Sequence, residues 1–91
     1  MASNSKMEIE KFNGQSFELW KLKMEDLLVD KDHWIVVDPG TAPTRTLEDD
    51  WKNLDHKAKR TIQMFLSDSI LLNVSEEAIA EDLWDKLGKL Y

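Results

Sequence analysis

Four tryptophans, Trp20, Trp34, Trp51 and Trp84, stand in a 91-residue chain that contains no cysteine. A domain of this size has room for one modest core, and without disulfides large buried rings must supply much of its stability. Trp20, Trp51 and Trp84 fall on apolar faces of predicted helices, so the rings and the helical pattern point to one shared core. Hydrophobic residues make up 42% of the chain and charged residues 33%, the balance of a folded chain rather than a disordered tail.

The apolar spacing predicts a small all-α bundle. Residues 1–11 read as a flexible or extended segment and residues 12–91 as the helical domain. Asn13-Gly14 marks a turn where glycine tolerates a positive φ. Ser16 is the expected N-cap of a first helix over about residues 17–30. Phe17, Trp20, Met24, Leu27 and Leu28 share one arc of that helix, the expected core face, while Leu19, Leu22 and Val29 fall outside it. The segment from His33 to Val37 is too short for periodicity to separate an extended stretch from an added helical turn.

Thr46 to Asp49 resembles a capping box with Asp in place of Glu, and it opens the clearest helical stripe. Leu47, Trp51, Leu54, Ala58, Thr61, Ile62, Phe65, Ser69 and Leu72 follow one face, of which Trp51, Leu54, Ile62 and Phe65 are assigned to the core. A helix over residues 47–72 would run about 39 Å, longer than the diameter of about 31 Å expected of a compact chain of this length. The second helix is therefore long or broken, with a break expected near Ser67 to Ser69 or a reach into a partner. Asn73 or Ser75 is the expected cap of the next helix, with Glu76 and Glu77 at its positive end. Its core face is expected to carry Ile79, Ala80, Leu83, Leu87 and Leu90, flanked by Trp84 and Tyr91, with Leu83, Trp84 and Leu87 assigned to the core. Acid-first pairs such as Glu48–Lys52, Asp55–Lys59 and Asp82–Lys86 suit exposed helix faces. The apolar pattern still runs at Tyr91, as expected of a domain truncated at its C-terminal end.

Chemistry is sparse. The absence of cysteine excludes thiolate metal sites and thiol catalysis, and His33 and His56 lie in different segments. Gly14, Gly40 and Gly88 are isolated, so no phosphate loop forms. Adjacent carboxylates fall in first turns or on exposed faces, where capping and solvation account for them. No catalytic residue, cofactor, metal or small-molecule substrate is expected. The polar start, Met1 to Glu8, is not expected to be a signal peptide, and the longest apolar run, Trp34 to Val37, is too short to span a membrane. A net charge of −6 argues against a main nucleic-acid contact, and the basic cluster His56-Lys57-Ala58-Lys59-Arg60 reads as a solvated helix face.

The informative feature is surplus apolar surface. Leu19, Leu22 and Val29 on the first helix, with Leu66 and Ile70 beside the second stripe, exceed what a three-helix core can cover. They are the candidate interface.

The frame Phe12-x-Gly14-x-x-Phe17-x-x-Trp20-Lys21-x-x-Met24-x-x-Leu27-Leu28, followed by Trp34, Trp51 and Leu83-Trp84-x-x-Leu87-x-x-x-Tyr91, resembles the start of the Gag polyprotein of copia-type retrotransposons. The likeness covers residues 12–91. It implies the amino-terminal part of a capsid region, an all-helical structural module that assembles with copies of itself in the cytoplasm into virus-like particles around element RNA. RNA would be gripped mainly by a later zinc knuckle absent from this chain, and the resemblance carries no catalytic residues into this region. The competing expectation is a host-adopted Gag-like adaptor that presents a groove to a cellular protein or peptide.

Overall fold

The computed structural model describes residues 9–91, so the reading of residues 1–8 as flexible lies outside the described residues. The fold is all-helical: α1 (Phe17–Asp30), a 3-10 turn (Trp34–Val36), α2 (Glu48–Met64), α3 (Asp68–Val74) and α4 (Ala80–Leu90). α2 packs on α4, on the 3-10 turn and on α1, while α3 packs on α4. The Cα extents of 38 × 37 × 18 Å describe a plate about two helices thick.

Gly14 takes the positive φ expected of it, 101°, and the turn is closed by the Asn13 side chain accepting from the Gln15 amide at 3.1 Å. Ser16 precedes α1 in the left-handed region, φ 57°, and its side chain caps nothing, a correction to its expected role. α1 ends in a Schellman motif with Asp32, φ 61°, in the left-handed position usually held by glycine. The Asp32 amide donates to the Val29 carbonyl at 3.0 Å and the His33 amide to the Leu28 carbonyl at 2.7 Å. The segment after His33, left open by periodicity, continues as the 3-10 turn.

α2 also starts without a side-chain cap. Leu47 is the N-cap residue, so the expected Thr46 capping box does not form, and Glu48, Asp49 and Asp50 face the positive end of the dipole. The long second helix is broken, slightly earlier than expected, at Phe65 to Ser67. The break is held from outside the helix. The Phe12 amide donates to the Phe65 carbonyl at 2.7 Å, the Ser67 amide donates to the Phe12 carbonyl at 2.9 Å, and a parallel bridge pairs Phe12 with Leu66. At seventeen residues, α2 is about 26 Å long and fits inside the plate.

The last helix starts later than its sequence signals. Asn73 lies inside α3, Ser75 closes α3, and Glu76 and Glu77 fall in the connection. The cap of α4 comes instead from α2: Asp55 Oδ1 accepts from the Ala80 amide at 3.0 Å, and Lys59 Nζ donates to the Ala78 carbonyl at 3.2 Å. Asp55 and Lys59, read from sequence as a pair along one helix, thus both bind the start of another.

Of the assigned core residues, Trp20, Met24, Leu28, Ile62, Leu83 and Leu87 are buried, and Phe17, Leu27, Trp51, Leu54, Phe65 and Trp84 are partly buried against them. Ala80 is buried as expected, but Leu47, Ile79 and Leu90, expected on the apolar faces, lie at helix ends and are exposed. The rings form a connected series, with centroids 5.4 Å apart for Phe12–Trp20, 5.9 Å for Trp20–Trp84 and 5.3 Å for Trp84–Trp34. Tyr91 meets Phe12 edge-on at 5.0 Å, and its hydroxyl accepts from Asn73 Nδ2 at 3.1 Å.

Candidate interaction surface

On α1 the exposed apolar side chains and the core side chains occupy opposite sides. At 100° per residue, the mean direction of Leu19, Leu22 and Val29 lies about 170° from that of Trp20, Met24 and Leu28. Leu19 is 56% exposed, Leu22 62% and Val29 52%. The row is about 15 Å long. It joins a cleft lined by Ile9, Lys11, Phe12, Leu19, Trp20 and Lys23 at one end, and a shallow hollow lined by Val29, Trp34 and Ile35 at the other. Glu18, Asp26 and Asp30 interleave with the leucines, so the row is apolar with an acidic border.

Leu66 and Ile70 do not belong to this surface. They are 2% and 4% exposed, buried in the chain's own core, which corrects their place in the candidate interface. The reason is the break at Phe65 to Ser67. It resets the helical phase, so that Ile70 and Val74 turn inward one turn apart, while Leu72, expected on the core stripe, turns out to solvent.

A second surface was not foreseen. The elbow between α2 and α3 forms an open groove lined by Lys11, Arg60, Gln63, Met64, Asp68 and Leu71. Met64, 67% exposed, is the most open of its apolar lining residues. The basic cluster expected on one solvated face is in fact divided: Ala58 is buried and Lys59 reaches Ala78, whereas Lys57 and Arg60 are exposed along the face that leads to Met64. The sequence signal that points to this groove is the Lys57, Arg60, Met64 spacing, one face of three successive turns.

His33 sits at the joint between α1 and the 3-10 turn, and its Nδ1 is buried with no hydrogen-bond partner among the described residues. Burial lowers its pKa from the ordinary value, helped by Lys31 and Lys57 and opposed by Asp32. Among the described residues, no group of three or more His, Cys, Asp or Glu side chains is placed to hold a metal ion, and no helix is long and apolar enough to cross a membrane. What the arrangement offers chemically is apolar burial and charge pairing, the terms by which proteins dock.

The chain is 35% identical over 91 residues to the Retrovirus-related Pol polyprotein from transposon TNT 1-94 of Nicotiana tabacum. The match covers 98% of this chain and 7% of that polyprotein, so the chain spans a small fraction of its relative's length. No family model matches the chain, and no solved structure does.

Proposed function

From this kinship with a stretch of a retrotransposon polyprotein, we propose that the chain is the amino-terminal capsid module of a copia-type Gag: a non-enzymatic structural domain that associates with copies of itself. On this reading the module helps to build virus-like particles in the cytoplasm, around element RNA held mainly by segments outside this chain. The observation that carries the reading is the exposed row Leu19, Leu22, Val29, set on the opposite side of a helix whose other face buries Trp20, Met24 and Leu28 in the core. A second buried face on α1 is what repeated assembly of one chain requires. The acidic balance supports a structural role, as does the absence, among the described residues, of a group of three or more His, Cys, Asp or Glu side chains placed to hold a metal ion.

Sedimentation equilibrium from about ten micromolar to one millimolar tests it. The wild type is expected to associate with rising concentration, weakly in isolation because a particle multiplies weak contacts. Leu19→Glu/Leu22→Glu is expected to shift the chain to monomer with its helical circular dichroism intact. A wild type that stays monomeric throughout that range would favour the adaptor reading.

A further inference from the structure

We propose that the partner of the α1 row is the α2–α3 elbow groove of a second copy, so that two different surfaces of the chain recognise each other. This rests on the self-association reading and names its contact. The two surfaces are complementary in both terms that drive docking. The row offers Leu19, Leu22 and Val29, all more than half exposed, and the groove offers the exposed Met64 and the half-buried Leu71. Methionine adapts its shape to an incoming aliphatic row.

Charge is complementary as well. On the row, Glu18, Asp26 and Asp30 interleave with the apolar positions, with Lys23 at the margin. Around the groove stand Arg60, with Lys57 one turn back on the same face, and Lys11, which also lines the cleft at the head of the row; Asp68 is the single acid among the named rim residues. The acidic row pairs poorly with itself, because face-to-face packing of two copies brings like charges together. Row against groove brings carboxylates to Lys57 and Arg60 instead, and covers both exposed apolar patches at once.

Two charge-reversed variants test the pairing: Asp26→Lys/Asp30→Lys on the row, and Lys57→Glu/Arg60→Glu on the groove side. All four residues are exposed, and circular dichroism checks that the helices persist. In sedimentation equilibrium at low salt, each variant alone is expected to associate about tenfold more weakly than wild type. An equimolar mixture of the two is expected to recover association, because every contact between unlike variants is again acid against base. Added salt is expected to weaken the wild-type contact. Variants that associate like wild type, or a mixture that does not recover, overturn the pairing while leaving self-association standing. A wild type that remains monomeric overturns both. If the groove variant associates normally but loses binding to a single-stranded RNA oligomer, the groove serves phosphates and the inference is overturned.

Discussion

The indole nitrogen of Trp20 donates to the Phe65 carbonyl oxygen at 3.0 Å, across 45 residues of sequence. That same oxygen accepts the Phe12 amide at 2.7 Å. Phe65 lies where α2 stops, so the carbonyl released by the break is satisfied twice, once by the segment before α1 and once by α1 itself. Trp20 therefore acts both as a core ring and as a clamp on the break, and the Phe12 and Trp20 rings lie 5.4 Å apart, tilted by 33°, around the same point.

Removing the clamp and the ring together is expected to be severe. Trp20→Ala should cost about 3–5 kcal/mol, enough to unfold a marginal domain of this size. Trp20→Phe keeps most of the burial and loses the hydrogen bond, and should cost about 1–2 kcal/mol. Urea unfolding of the two variants checks this. Retention of nearly full stability by Trp20→Ala would show that the ring does not anchor the core.

The cap on α4 supplied by Asp55 gives a sharp contrast. Asp55→Ala is expected to cost about 0.5–2 kcal/mol, the range for losing an N-cap. Ser75→Ala, at the position that sequence signals favour, removes only a bond from its hydroxyl to the Leu72 carbonyl at the end of α3 and should change thermal stability little. Equal losses for the two would mean that α4 draws its cap from elsewhere.

Gly88 sits inside α4 with nothing within 4 Å of where a Cβ would stand. Gly88→Ala should stabilise the domain by about 0.5–1 kcal/mol, through helix propensity and a less flexible unfolded chain. At Gly40 the same change meets φ 76° and the Glu81 carboxylate at 2.7 Å, and it should destabilise. The flexible end of Glu81 can swing away, but the left-handed backbone remains strained. Melting temperatures of the two variants should move in opposite directions.

His33 makes stability depend on pH. Its folded pKa lies below the ordinary value of 6.5, so on acidification the unfolded chain takes up the proton first. The stabilising contribution of neutral His33 is present above about pH 6.5 and is lost as pH falls through the folded pKa. Urea midpoints measured from pH 7.5 to 5 should decline, and His33→Gln should flatten that decline. An unchanged slope in the variant would place the sensitivity in other groups.

What could be read from residues alone was the all-helical class, the core rows of α1 and α4, the turn at Gly14 and the outward-facing row of α1. All of these follow from local spacing, because a helix repeats every 3.6 residues whatever surrounds it. The sequence also indicated that a 26-residue second helix was too long for the domain, an argument from size. It did not place the break or its consequences. Phe65 to Ser67 carries no glycine or proline, and the stripe runs through it, so Leu66 and Ile70 read as exposed neighbours. Only tertiary contacts decide the matter: Phe12 and Trp20 arrive from the other side of the chain and take up the Phe65 carbonyl, and Leu66, Ile70 and Val74 turn inward. Capping was decided in the same way. Ser16, Thr46 and Ser75 each have the right chemistry in the right local place, yet the cap of α4 belongs to Asp55, brought there by helix packing. Periodicity depends on the chain's own geometry, whereas a hydrogen-bond partner depends on which surfaces the fold brings within 3 Å.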